Sequence, residues 1–241
     1  MGGMARTVEE SDREELLVEW LETTDETGMP TDPLIWVRNP LASSYPACQA
    51  VKAAAEQGQD AAMRYLRRLR EGIMLGRRKL DHIDALLAEA GPAGLDRDRF
   101  EVDLRSHAIV EAFGLDLEEA RDPSEAARAA GQVKPAPGGR ERVGFPTVAF
   151  VGEGGGREAV YGPAPYERLR DAAIAAGARP SDGAPPEPMA AIERFGRLTT
   201  RELEELTRQP RPVLEAELWG LAREWRLKPE THPFGVLWSA P

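Results

Sequence analysis

Few residues in this chain can do covalent chemistry. Cys48 is the only cysteine, and His82, His107 and His232 lie far apart, at no spacing that suits a metal or a nucleophile-base pair. Cys48 falls in the first turn of an expected helix opening at Ser43-Ser44-Tyr45-Pro46, where the helix macrodipole lowers a thiol pKa. It reads either as a one-thiol nucleophile or as a packing cysteine, and its small apolar neighbours favour packing. The second feature is Gly144-Phe145-Pro146-Thr147, a glycine-aromatic-proline step ahead of the strand-like run Thr147 to Val151. A proline that opens a strand behind a glycine fits a locked turn. X-Pro is the one bond at which a cis peptide costs little, so Phe145-Pro146 reads either as a cis turn or as an ordinary strand-opening proline. Gly152-Glu153-Gly154-Gly155-Gly156 has the composition of a phosphate cradle, but it leads into a second strand and not into a helix N-terminus.

The elements that must hold these residues follow from periodicity and breakers. Ser11-Asp12-Arg13-Glu14 is a capping box ahead of Leu16, Leu17, Trp20 and Leu21, and Gly28-Met29-Pro30 ends that helix. Its Glu14, Glu15, Glu19 and Glu22 read as a solvated face. Asp32-Pro33 to Asn39-Pro40 is a short apolar connector carrying Trp36. An alanine-rich helix holds Cys48; Tyr65, Leu66, Leu69 and Ile73 share a face of the next; Ile83, Leu86 and Leu87 mark a third. A further helix is expected from about Asp98 to Arg121. Arg64, Arg67, Arg68, Arg70 and Arg77-Arg78-Lys79 lack the aromatic ladder of a nucleic-acid face and read as solvated. Residues 122–140, rich in Ala, Gly and Pro, read as a mobile loop. Thr147 to Val151 and Glu158 to Tyr161 form a hairpin, followed by a helix to about Gly177.

A second Pro/Gly tract, 179–188, marks a linker. Beyond it lie three short helices: Met189 to Phe195, one opened by Thr199-Thr200-Arg201-Glu202, and Val213 to Trp225. A terminal strand or wing at His232 to Trp238 completes a pattern that suggests a winged helix-turn-helix over 189–241. From Glu187 onward there are nine carboxylates against eight Lys and Arg. With Trp219 and Trp225 expected to pack the apolar side of the last helix, a packing or homodimerising role is favoured over operator binding.

The whole chain of 241 residues has 41 acidic and 31 basic side chains, a net charge of −10 that opposes the phosphate attraction behind non-specific nucleic-acid binding. One cysteine excludes an intrachain disulfide framework and points to a reducing compartment. No apolar stretch approaches the ~20 residues a membrane span needs, and no signal peptide is visible. The chain therefore reads as soluble and cytoplasmic, with no metal and no cofactor expected.

In order and spacing these segments resemble the DsbA-like, FrnE-type thioredoxin-fold proteins, in which a helical insertion interrupts the thioredoxin core. Ser43 to Ala54 is similar to the start of that insertion, and Tyr65 to Glu71 with Gly76-Arg77-Arg78 to its next helix and turn. Gly94-Leu95-Asp96, Phe100 and Leu104 are similar to its closing helices, and Gly144-Phe145-Pro146-Thr147 to the cis-proline loop. The resemblance covers roughly residues 1–178, with the insertion at about 43–121 and the hairpin and final helix at about 143–177. It implies a helix-rich α+β chain, an incomplete thioredoxin-like fold followed by the small winged-helix-like domain. In the family a strand, a Cys-x-x-Cys segment and a second strand come before the region that Ser11 to Gly28 resembles. Met1 to Arg6 is similar to the end of that second strand, so the chain is expected to start internally. Lacking the family's central strand, the hairpin is expected to leave an exposed edge.

The resemblance implies a thiol-disulfide oxidoreductase acting on a thiol or disulfide protein, or on a small thiol. Exchange needs a thiolate and a second, resolving thiol, and this chain offers no pair, so it is expected to be inactive as it stands. Phe145, Pro146 and Thr147 would remain as the substrate-side element, with backbone turned outward to pair with an extended polypeptide. Two other classes stay open: a winged-helix regulatory or interaction protein, and a relative that uses the same fold for glutathione-dependent isomerisation, like the kappa-class transferases.

Overall fold

Helical periodicity shapes the first half of the chain in the computed structural model, which describes residues 10–180 and 183–241. Helix α1 (Glu10–Thr27) is already helical at Ser11, so the expected capping box does not start it, and Met1 to Arg6 lie outside the described residues. Trp20 of α1 meets Trp36 edge to face, centroids 5.3 Å apart, where the connector winds into the short helix α2 (Ile35–Arg38). Pro46 in its first turn opens α3 (Tyr45–Ala55). Ala47, Ala50, Ala53 and Ala54 of α3 are fully buried, and side chains this small let α4 (Gln59–Met74) lie close along it. On α4, Tyr65, Leu69 and Ile73 recur at helical spacing and are buried in turn.

Helices α5 (Ile83–Ala88), α6 (Arg97–Leu104) and α7 (His107–Ala120) complete this layer. The single helix expected over 98–121 is two, because Ser106 accepts the Ala108 N–H and caps a new start at His107. Phe100 of α6 and Tyr65 hold the centre. Both are fully buried with ring centroids 5.0 Å apart, and the Tyr65 hydroxyl donates to the Leu86 carbonyl at 2.7 Å. The arginine cluster is a solvated face only in part: Arg64, Arg70 and Lys79 are exposed, and the others are drawn inward. Arg68 and Arg78 both reach the buried Glu89, and Arg77 Nε stands 2.6 Å from the buried Asp32 carboxylate. A carboxylate taken out of water needs a partner, and these half-buried guanidiniums supply it.

Residues 122–140 fold, contrary to the loop expectation. Ser124 accepts the Ala127 N–H and caps α8 (Glu125–Ala129). Strand β1 (Val133–Ala136) then pairs antiparallel with β2 (Arg140–Val143) across a turn in which Gly138 and Gly139 take φ of 77° and 72°. Ion pairs Arg128–Glu141 and Arg140–Glu118 fasten that hairpin to α8 and α7. Strands β3 (Thr147–Val151) and β4 (Arg157–Tyr161) form the expected hairpin, registered Thr147 on Tyr161, and α9 (Tyr166–Ala175) packs on it. Each hairpin is a two-stranded sheet of its own, so β3 and β4 each keep an edge without a strand partner among the described residues. Val148 and Val151 are exposed there.

The last part has its own core. Helix α10 (Pro188–Phe195), strand β5 (Leu198–Thr199), helices α11 (Thr200–Thr207) and α12 (Arg211–Arg223), and strands β6 (Lys228–His232) and β7 (Gly235–Ser239) surround the fully buried Leu203, Leu214, Leu218 and Trp238. The strands make an antiparallel sheet in the order β5-β7-β6. Thr199 and Glu202 form a complete capping box on α11. Trp219, 42% exposed, packs one edge on the buried Trp238 with ring centroids 5.0 Å apart, whereas Trp225, 86% exposed, does not pack the apolar side of α12. Leu214 and Leu218 define the buried stripe, Trp219 is turned about 100° from Leu218, and Trp225 lies past the helix end.

Arg67 joins the two cores. Its guanidinium pairs with Glu71 on α4 and with Glu202 on α11, and donates to the Arg197 carbonyl at 2.9 Å. Burial alone would raise the Glu202 carboxyl, but the hydrogen bonds and charge of Arg67, with the Thr199 N–H, hold it below the ordinary value. A carboxyl depressed in the fold contributes stability that is complete above its unfolded pKa of about 4.3 and is lost as pH falls through the lower folded value. The urea midpoint is therefore expected to fall more steeply below about pH 4 in the wild type than in Glu202→Gln. Parallel acid profiles for the two proteins would refute this.

Candidate functional site

Helix α3 turns its alanines inward and presents Tyr45, Cys48, Val51 and Lys52 to a cleft of about 300 Å³. Opposite stand Phe113, Asp116 and Leu117 of α7, and Arg142 and Phe145 close the side where the chain leaves β2. Tyr45 and Phe113 pack edge to face at 5.1 Å, Lys52 Nζ lies 2.9 Å from Asp116 Oδ1 at the rim, and the Arg142 guanidinium lies 5.2 Å from the Phe145 ring centroid. The cleft is mainly apolar with a few fixed charges, the character of a binding site rather than of a packed interior.

The structure brings Cys48 and Phe145 to this one cleft. The Cys48 N–H donates to the Ser44 carbonyl at 3.0 Å, so the residue already stands inside the hydrogen-bonded body of α3 and not over its free N–H groups. Burial pushes the thiol pKa up, and the Asp116 carboxylate pushes the same way. The side chain is half-buried, with one face on the cleft.

The glycine-aromatic-proline step is built by close approach. The Gly144 N–H donates to the Gln132 carbonyl at 2.7 Å, and a Cβ at Gly144 would stand 2.8 Å from Gln132 Oε1. The Phe145–Pro146 peptide is cis. The Pro146 carbonyl accepts the Gly162 N–H at 2.9 Å, and the Thr147 hydroxyl donates to the Gly144 carbonyl at 2.7 Å. Between them Phe145 is 48% exposed, and its backbone N–H and C=O have no partner among the described residues. Phe145 also lines a second cleft, of about 540 Å³, together with Thr147, Asp116, Glu119, Arg157 and Tyr161. Arg157 pairs with Glu119 at 2.6 Å, and Ser124 meets the Tyr161 hydroxyl at 2.8 Å. Pro146 lines neither cleft.

Sequence reasoning found one wall of each cleft and missed the other. Phe113, Asp116 and Arg142 come to Cys48 only through the packing of α7 and the folding of β1–β2, and no local pattern marks them. His82 precedes α5 in extended conformation beside Asp81, and His107 is exposed at the start of α7, so neither faces these clefts. No group of acidic, histidine or cysteine side chains suited to a metal ion occurs among the described residues.

A family model described as Thioredoxin matches residues 5–124. The structure is also similar to the crystal structure of a candidate protein disulfide isomerase from Nitrosomonas europaea, with a TM-score of 0.53, 15% identity, and coverage of 81% of this chain and 80% of that one. The chain is a thioredoxin-fold protein. It is helix-rich α+β, and at 15% identity the structural likeness carries the fold alone. Among curated proteins it is 37% identical over 110 residues to the ClpXP adapter protein SpxH of Halalkalibacterium halodurans, across 46% of this chain and 36% of that protein. It is 33% identical over 113 residues to the protein of the same name in Bacillus subtilis, across 46% and 38%. The chain thus spans little more than a third of the length of these curated relatives. No described helix is long and apolar enough to cross a membrane.

Proposed function

We propose that this thioredoxin-fold chain works as a protein-binding adapter in the cytoplasm, a DsbA-type relative that holds polypeptide and performs no disulfide exchange. The observation that carries the reading is Phe145. Its exposed ring stands where two clefts meet, and its unpaired backbone donor and acceptor offer an extended polypeptide a place to add as a strand, flanked by Pro146 and Thr147. The sole thiol is held protonated by burial and has no second cysteine to resolve a mixed disulfide. Relatives named as adapters for ClpXP support the same reading, with ClpXP as the second partner.

Residues 189–241, after the linker at 179–188, read as a winged-helix-like interaction module. The order of three helices and a three-stranded sheet supports this, and eight carboxylates balancing eight basic groups, with no net positive charge, argue against operator DNA.

Carboxymethylated insulin B chain, labelled with fluorescein, serves as an extended polypeptide probe, read by anisotropy. Phe145→Ala is expected to weaken its binding about tenfold, the cost of truncating an aromatic anchor, with the urea midpoint unchanged. Insulin reduction should show no turnover, and the chain should co-sediment with ClpX. Equal affinity in the variant, or catalytic reduction of insulin, would sink the proposal.

A further inference from the structure

Helix α12 ends on a residue that its own backbone geometry disfavours. The Arg226 N–H donates to the Leu221 carbonyl at 3.0 Å and the Trp225 N–H to the Ala222 carbonyl at 3.1 Å, the two bonds of a Schellman turn. The position between them is left-handed, with φ 59°, where glycine fits without cost and a bulky side chain does not. Trp225 occupies it. Its indole is 86% exposed, the most exposed large apolar side chain among the described residues, so no packing within this chain offsets the local cost.

Trp225 and the part-exposed Trp219 wall a cleft of about 510 Å³ floored by Leu227 and Pro229. Its charged lining is Arg223 and Lys228, with no acidic side chain. The Arg223 Nε is held on the Trp219 carbonyl at 3.3 Å, which fixes the guanidinium beside the indole, and neither cation has a carboxylate within ion-pair distance among the described residues. Most other arginines of this acidic chain are neutralised, as Arg67, Arg68, Arg77 and Arg78 are. Two indoles and two unneutralised cations around an apolar floor are complementary to one kind of ligand, an apolar side chain flanked by carboxylates.

We infer that this cleft docks an acidic, extended peptide segment of a partner protein, one apolar side chain seated between Trp219 and Trp225 and carboxylates on Arg223 and Lys228. The docking uses no residue of the Phe145 clefts and stands or falls apart from the adapter reading. Nucleic acid is disfavoured because the module as a whole carries no net positive charge, eight acidic groups balancing eight basic ones.

The probe is a short fluorescein-labelled peptide alternating glutamate with phenylalanine, titrated with the full chain and read by anisotropy. Saturable binding is expected, weakened about tenfold or more by Trp225→Gly and by Lys228→Glu, while a lysine-phenylalanine counterpart does not bind. Trp225→Gly should melt at the wild-type temperature or above it, because glycine suits the left-handed turn, so lost binding cannot be lost folding. Four outcomes overturn the inference: unchanged affinity in Trp225→Gly, equal binding of the two peptides, tighter binding of a single-stranded oligonucleotide than of the acidic peptide, or a sedimenting dimer that Trp225→Gly dissociates, which would mean a second copy covers the cleft.

Discussion

Replacing Gly152 by alanine is expected to destabilise the protein by about 3 kcal/mol, the upper range for overpacking a close contact, while Gly154→Ala in the same loop stays within about 0.5 kcal/mol of wild type. A Cβ at Gly152 would stand 1.9 Å from the Ala176 carbonyl oxygen, and that oxygen belongs to backbone at the end of α9, so no side-chain rotation relieves the clash. Either α9 leaves the hairpin or the hairpin bends away from α9. Since α9 is the helix packed along β3 and β4, both outcomes expose Val160, the only buried apolar residue of the hairpin. Gly154 has nothing within 4 Å of a built Cβ and an ordinary φ, so alanine there meets open space. Urea unfolding of both variants decides the matter. If they are equally destabilised, the loop itself is at fault and not the approach of α9. The damage also reaches the candidate site, because β3 and β4 carry Thr147 and Tyr161 into the second cleft.

The same loop shows what a single sequence conceals. Gly152 to Gly156 reads as flexible from composition, yet Gly152 is required by a helix end arriving from further along the chain. The helices were legible because their signals are local: Tyr65, Leu69 and Ile73 repeat at helical spacing, and Thr199 with Glu202 states a cap in adjacent residues. The hairpin at Thr147 and the proline step were legible for the same reason. The β1–β2 ladder was hidden because its glycines and prolines serve a turn, and its fastening to α7 and α8 is made by ion pairs between separate segments. The arginine cluster misled because the carboxylates it neutralises, Asp32, Glu89 and Glu202, come from three other places in the chain. Cys48 was placed correctly at the start of α3, but the burial and the Asp116 charge that raise its pKa depend on α7.

Phe100→Ala is expected to cost about 3–5 kcal/mol, a large part of the roughly 5–15 kcal/mol that holds a domain folded, and to speed alkylation of Cys48. Phe100 is fully buried, and α6 packs on α3, so its ring supports the inner face of the helix whose outer face forms the cleft. The residues around it cannot close the gap readily. Ala50, Ala53 and Ala54 are too short to reach into it, and Tyr65 is held by its hydrogen bond to the Leu86 carbonyl and cannot swing over. The variant thus keeps a cavity beside α3 and loosens α3 against α7, which lets solvent reach a thiol that burial now protects. Urea denaturation measures the first effect, and the rate of iodoacetamide labelling under native conditions measures the second. A loss below about 1 kcal/mol would mean that the site collapses around the missing ring. A large loss with unchanged labelling would mean that Cys48 is shielded by the β1–β2 hairpin and Phe145 instead of by the position of α3, and Phe145→Ala should then be the variant that exposes it.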